Sequence, residues 1–264
     1  LAGAVRAGGA DRQLPVRVVR ADREFGRTRL QYTPTGYGGS PWIAGMGNKT
    51  IPDSGGYSRI CTTGFHARAI GNYFLTAGHC LFDGVGGSPY RQICTAYMRC
   101  TTAGVDVGGY AGYGGDAGVI ASWDVIAPYP AMLDWTNPVN AAIAVFGAGT
   151  SVYGKYYCRT GIGSAGAGHS ATTCGRNAGM AIAHDPTYGS RGMLAQTLRG
   201  NVCAFDGDSG GPVWDPYIGW AIGIHNAASA PWGYSNNGCG DQMTLYYTDA
   251  KPAATTLGVT IATL

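Results

Sequence analysis

The run Gly207-Asp208-Ser209-Gly210-Gly211-Pro212 sets a hydroxyl among glycines. A serine so placed can attack an electrophilic carbon if three conditions hold. A base must take its proton, something must orient the base, and donors must meet the oxyanion that forms. Flanking glycines let the backbone turn so that N–H groups converge on one point. Taken alone the run is ambiguous, because a Gly-rich turn is unremarkable in a chain with 45 glycines.

The base is sought among five histidines. His79, in Leu75-Thr76-Ala77-Gly78-His79-Cys80, directly follows an apolar strand pattern, and its cysteine neighbour can anchor the loop that carries it. His66, His169 and His184 lack such a setting and read as structural. The third group should be a carboxylate. Asp116 stands between Gly114-Gly115 and the apolar run 117–121. An acid entering a buried strand is costly unless paired, and an imidazole N–H would pair it and fix the tautomer. Asp106, Asp124 and Asp134 compete, each in a context typical of an exposed turn. The serine run also fits G-x-S-x-G, the nucleophile elbow of α/β-hydrolase esterases. That reading needs acid then histidine after the serine, and only one histidine, His225, follows, with Asp215 between, too cramped for separate strand-end loops.

The elements that must position these groups read as β-structure. Candidate strands are short, β-branched or aromatic and bounded by Gly, Pro, Asn or Asp: 72–77, 92–98, 118–122, 142–146, 155–159, 193–198, 212–214, 220–225 and 243–248. Such spacing argues for an all-β sandwich or barrel. One short helix is expected over 249–257, with Pro252 near its start. Segments 33–54 and 128–140 read as a linker or long loop and a mid-chain divide. The expected division is an arm over 1–42, a unit over 43–140 carrying His79 and Asp116, and a unit over 141–264 carrying Ser209.

Charge and cysteine bound the function. The net charge of +3 is uneven: residues 1–30 carry +4 and the remainder −1. The arginines of the arm alternate with apolar residues (Val16-Arg17-Val18-Val19-Arg20), which suits a strand with a polar face. The body has no basic, aromatic-interleaved patch, so no nucleic-acid partner is expected, and no apolar run is long enough to span a membrane. The eight cysteines, Cys61, Cys80, Cys94, Cys100, Cys158, Cys174, Cys203 and Cys239, contain no C-x-x-C and no zinc-finger spacing. They read as a disulfide set formed in an oxidising compartment, and spacing alone leaves about a hundred pairings open. No metal or cofactor is expected. Asn48-Lys49-Thr50 fits the short N-glycosylation sequon.

The segments Thr76-Ala77-Gly78-His79-Cys80, Asp116-Ala117-Gly118-Val119-Ile120 and Gly207 to Pro212 resemble the three catalytic motifs of chymotrypsin-like serine proteases, in that family's order. The similarity is closest to the streptogrisin-type branch secreted by actinomycetes. Cys158-Arg159-Thr160-Gly161 with Cys174-Gly175, Cys203-Ala204-Phe205-Asp206, and Leu257-Gly258-Val259-Thr260 carry it, and it spans residue 58 to the C-terminus. The resemblance implies two perpendicular six-stranded antiparallel β-barrels with the site in the cleft between them. It also implies the sequential pairs 61–80, 94–100, 158–174 and 203–239. By the same resemblance Ser209 is the nucleophile, His79 the general base and acid, and Asp116 its orienting partner. The N–H groups of Gly207 and Ser209 form the oxyanion hole, and Asp208 holds the loop through a partner the sequence does not identify.

The resemblance further implies a substrate pocket walled by 200–202, 225–228 and 240–246, with Val202, His225, Asn226, Ala227 and Ala228 as its residues. Ile224-His225 is similar to glutamate-specific streptogrisins, where a histidine meets the substrate carboxylate. Here Val213 and Tyr246 stand where further histidines support it there, and Asn226 replaces the usual Ser. An acidic preference is thus one option among several, and the segment 229–238 reads as an added loop near the pocket rim. The expected protein is a secreted monomeric endopeptidase acting on protein or peptide substrates, with the arm a remnant of a pro-region, a strap on the barrels or a disordered basic arm. The alternatives are a catalytically silent homologue that binds partners and the esterase above.

Overall fold

The computed structural model describes residues 17–19, 29–31, 43–50, 60–81, 90–94, 100–123, 129–134, 141–184, 191–229 and 237–264. Asp124, the segment 230–236 of the expected rim loop, most of the arm, and the linker apart from 43–50 lie outside the described residues.

Two large sheets dominate. The first runs, in spatial order, Thr260–Ile261, His66–Arg68, Asn72–Thr76, Gly115–Ser122, Cys100–Gly112, Tyr90–Cys94, Gly47–Thr50 and Ile60–Thr62. Its eight strands reduce to a six-stranded barrel. Ile60–Thr62 and His66–Arg68 are successive parts of one chain segment at opposite ends of the sheet, so the sheet curls back on itself. Thr260–Ile261 is an addition from the C-terminus, pairing with His66–Arg68. The second sheet is a six-stranded ring of Trp220–Ser229, Pro212–Asp215, Tyr156–Thr160, Thr172–Ala183, Met193–Arg199 and Thr244–Asp249, closed by pairing of its first and last strands. Gly147–Ala148 adds in parallel to Trp220–Ser229. Closure leaves few edges exposed.

Helix is scarce among the described residues: a 3₁₀ turn at Gly78–Cys80, one turn at Ile162–Gly166, and the C-terminal helix Ala250–Thr256. Pro252 sits in the first turn of the last, where its missing N–H has no intrahelical acceptor to lose. A parallel sheet flanked by helices is not present among the described residues, so the α/β-hydrolase alternative is discarded.

Sequence patterning missed the strands Cys100–Gly112 and Thr172–Ala183 altogether. Glycines within these strands dilute their β-branched character. Asp106 lies in the first of them, not in an exposed turn, and its carboxylate takes a two-point ion pair from buried Arg91. The arm contributes Arg17–Val19, which pairs with Arg29–Gln31, itself paired to Ala141–Ala144 beside Ala131–Asp134. The sequon lies on a barrel strand: Asn48 and Thr50 are 1% and 4% exposed, and Thr50 Oγ1 accepts from Arg91 Nη1 at 2.5 Å. A glycan has no room at Asn48 in the folded protein.

One apolar cluster joins Phe65, Leu75 and Val119 of the first barrel to Trp214, Ile224 and Ala253. Each fully buried side chain of this size stabilises the fold by about 1.5–3 kcal/mol. The four disulfides are Cys61–Cys80, Cys94–Cys100, Cys158–Cys174 and Cys203–Cys239, the sequential set.

Candidate active site

His79 is held in the 3₁₀ turn Gly78–Cys80 that ends the strand Asn72–Thr76. The Cys61–Cys80 bridge ties this turn to the strand Ile60–Thr62. Asp116 is the second residue of Gly115–Ser122, a strand that pairs with Asn72–Thr76, so the two residues come from neighbouring strands. Asp116 Oδ2 lies 2.5 Å from His79 Nδ1, and Asp116 Oδ1 accepts the His79 backbone N–H at 2.9 Å. The carboxylate is fully buried while the His79 side chain keeps 20% exposure. A buried carboxylate is tolerable here because donors meet both oxygens. The N–H of Nδ1 is thereby committed to Asp116, which leaves Nε2 as the basic nitrogen. Burial, and secondarily the charge of Asp116, push the Tyr110 phenol above its ordinary pKa.

Ser209 lies in the turn between Val202–Ala204 and Pro212–Asp215. Gly207 and Gly210 have φ of +99° and +90°, the left-handed region that favours glycine. At Gly210 a side chain is also excluded by space: a Cβ would stand 2.2 Å from the Thr62 carbonyl oxygen and 2.3 Å from Thr76 Oγ1. The loop is thus pressed against the strands that carry His79. Among the described residues, the N–H groups of Asp208, Gly210 and Gly211 donate to backbone carbonyls, whereas those of Gly207 and Ser209 do not. These two amides are available to a ligand. The Ser209 hydroxyl donates to the Asn226 carbonyl at 3.1 Å in this resting arrangement. Rotation about χ1 moves such a hydroxyl between staggered wells.

Two clamps shape the loop: Thr62, to which the sequence did not point, and Asp208, expected to hold the loop through a partner left unidentified. Thr62 donates its N–H to the Ser209 carbonyl and its hydroxyl to the Gly207 carbonyl, both at 2.7 Å, and receives the Ile162 N–H at 3.0 Å. Asp208 is fully buried against fully buried Arg159, with Nη1 2.8 Å from Oδ2. Its oxygens also accept from Ser164 N at 2.8 Å, Ser164 Oγ at 2.6 Å and Phe205 N at 2.9 Å. Arg159 Nη2 donates to the Cys203 carbonyl. A lone arginine inside Tyr156–Thr160, in a chain only 12% charged, was the available signal.

The expected pocket residues are mostly buried. Val202 packs with Leu198, Val213 and Leu245, while Ala227 and Ala228 are half-buried. His225 is 2% exposed. Its pKa is lowered well below 6.5, chiefly by burial and then by the charges of Arg159 and His79. Among the described residues its Nδ1 has no hydrogen-bond partner. Separately, a cleft of about 390 Å³ bordered by Ile60, Ile162, Phe205 and Asp206 adjoins Gly207. His169 stacks on Phe205 with ring centroids 4.7 Å apart, and His66 packs edge-on against Phe74. Cys61, Cys80 and His79 cluster, but both sulfurs are in a disulfide and offer no thiolate to a metal.

His225 links this buried site to stability. Its folded pKa is depressed, so its contribution to stability is present above about pH 6.5 and is lost as pH falls through the folded pKa. In that window the unfolded chain takes up a proton that the folded chain refuses. Urea unfolding below about pH 6.5 should therefore show up to about 1.4 kcal/mol of loss per pH unit from this residue. His225→Gln should flatten that slope, and an unchanged slope would refute the assignment.

No family model matches the chain. Among solved structures it is similar to Thermobifida fusca protease A, at 20% identity over 84% of this chain and 98% of that one, with a TM-score of 0.59. It is similar to a glutamic acid specific serine protease that uses a histidine triad in substrate binding, at 22% identity over 84% and 100%, with a TM-score of 0.60. A third is Cellulomonas bogoriensis chymotrypsin, at 22% identity over 84% and 98%, with a TM-score of 0.54. The fold is therefore the two-barrel, chymotrypsin-like architecture, as found in the actinomycete serine proteases.

Proposed function

We propose that the chain is a serine endopeptidase that hydrolyses peptide bonds through an acyl-enzyme on Ser209. The observation that carries this reading is the 2.5 Å contact of His79 Nδ1 with buried Asp116, set against a serine loop with two unengaged amides. The Ser209 hydroxyl turns from the Asn226 carbonyl toward His79 Nε2. Its oxygen attacks the peptide carbonyl carbon as Nε2 takes the proton. The carbonyl oxygen, now negative, accepts from the N–H groups of Gly207 and Ser209. The C–N bond then breaks, and His79 returns the proton to the leaving amine. Water repeats the sequence on the ester: His79 takes its proton, the acyl group leaves as a carboxylic acid, and Ser209 regains its hydrogen. Asp116 stays ionised and stabilises the imidazolium in both halves.

For the residue before the scissile bond we infer an uncharged preference. The histidine triad of the glutamic acid specific relative has one counterpart here, and His225 is buried and neutral at neutral pH. A neutral ring supplies no charge to hold a carboxylate. Four disulfides favour an oxidising compartment, hence secretion, and no helix among the described residues is long and apolar enough to cross a membrane.

An organophosphate should label Ser209 at one per chain, mapped by mass spectrometry. Folded protein that takes no label would sink the enzyme reading in favour of a silent binding homologue. A peptide library varied before the cut should rank Phe or Leu above Glu, and a Glu optimum would overturn the pocket assignment.

A further inference from the structure

Asn226 occupies a β-bulge. The strand Trp220–Ser229 pairs His225 with Tyr247 and Ala227 with Tyr246, which leaves Asn226 as the extra residue. A bulge re-aims the side chain it carries, and here that side chain reaches Asp116 on the other barrel. Asn226 Nδ2 donates to the Asp116 carbonyl at 2.7 Å. Thr248, on the neighbouring strand, donates its hydroxyl to Asn226 Oδ1 at 2.8 Å and accepts the Asp116 N–H at 2.9 Å. The three residues form a closed ring of hydrogen bonds. Both backbone polar groups of Asp116 are used in it, as are both amide atoms of Asn226. The backbone carbonyl of the same asparagine receives the Ser209 hydroxyl at 3.1 Å. Asn226 therefore touches both the acid and the nucleophile, and it is 2% exposed.

We propose that Asn226 and Thr248 are positioning residues that fix the backbone of Asp116 from the second barrel, and so hold its carboxylate on His79. The inference rests on the peptidase reading for its consequence in turnover, not for its geometry. A carboxylate at 2.5 Å from its partner on a strand end is sensitive to backbone rotation. The ring removes that freedom by gripping the N–H and C=O on either side of the Asp116 Cα. Loss of the Thr248 hydroxyl removes the group that the Asp116 N–H donates to and that donates to Asn226 Oδ1 in a buried place, so the strand end must shift.

The test compares Thr248→Val, which keeps the shape and removes the hydroxyl, with Thr248→Ser, which keeps the hydroxyl. Thr248→Val should lower kcat by up to about a hundredfold, the cost of a misplacement near 1 Å. KM should stay within twofold, because Thr248 lies outside the segments expected to wall the substrate pocket. Thr248→Ser should recover most of the lost kcat. A second readout does not depend on turnover: the low-field proton resonance of the His79 Nδ1–H. It should be sharp in the parent and in Thr248→Ser, and broadened or moved upfield in Thr248→Val. An unchanged resonance and unchanged kcat in Thr248→Val would overturn the proposal. So would equal losses in both variants, which would mean that bulk and not the hydroxyl matters. A resonance that responds in a parent chain without turnover would instead refute the peptidase reading and leave the ring standing. If Thr248→Val does not fold, Asn226→Leu keeps the shape, removes both amide atoms from the ring, and is read by the same two measurements.

Discussion

Asp116→Asn is expected to lower kcat about 10⁴-fold while leaving the unfolding transition cooperative. Which atoms face one another sets this loss. Asp116 Oδ2 meets His79 Nδ1 at 2.5 Å, and Oδ1 is already taken by the His79 backbone N–H. An asparagine must keep its oxygen toward that backbone N–H, because an amide nitrogen there would oppose a donor with a donor. Its NH₂ group then faces Nδ1. The imidazole responds by presenting Nδ1 as an acceptor, which puts its proton on Nε2. In that tautomer His79 cannot accept a proton from Ser209. Steady-state kinetics on a peptide ester, with organophosphate labelling as a second measure, would check this. A loss below tenfold would mean that Asp116 does not set the tautomer.

The second large effect concerns stability and the oxyanion loop together. Asp208→Ala should destabilise the fold by about 3–5 kcal/mol, the cost of stranding one member of a buried ion pair. Arg159 and Asp208 are both fully buried with 2.8 Å between Nη1 and Oδ2. Removal of the carboxylate leaves Arg159 charged in a place closed to water. It also strips Ser164 and the Phe205 N–H of their acceptor. The backbone of 205–209 then loses its internal post, which on the proposed mechanism displaces the Gly207 and Ser209 amides as oxyanion donors. Displacement of one oxyanion donor costs about 10²–10³ in kcat. Asp208→Asn keeps the shape and separates the two effects, since it retains a carbonyl oxygen for Ser164 but not the charge. Urea midpoints and kcat should fall together in both variants, and less in Asn than in Ala. A change under 1 kcal/mol in Asp208→Ala would show that the pair is not the support described.

Several features were legible in the chain because they depend on local rules. The short strands came from β-branched and aromatic runs between turn residues. The serine loop came from glycines that a left-handed backbone requires, now seen at Gly207 and Gly210. The paired disulfides followed from a resemblance and not from spacing, which left the pairing open. The glycine-bearing strands Cys100–Gly112 and Thr172–Ala183 were not legible as strands. Their strand character comes from neighbours on both sides, not from intrinsic preference.

By itself the sequence determined an all-β chain with a hydroxyl nucleophile candidate, a histidine beside a cysteine and an acid entering a strand. It placed these groups in an order and left their distances unknown. Tertiary structure alone decided which groups support them. Arg159 reaches Asp208 from 49 positions away. Thr62 grips the Gly207 and Ser209 carbonyls from the other barrel, and Asn226 with Thr248 grips Asp116 across the same divide. Thr62 and Thr248 carry no local signature, because a threonine in a strand looks like any other until the fold gives it a partner. Barrel closure supplies those partners by bringing distant strands within hydrogen-bond reach in a space closed to water. There each polar group must find a protein partner, and the partners it finds define the site.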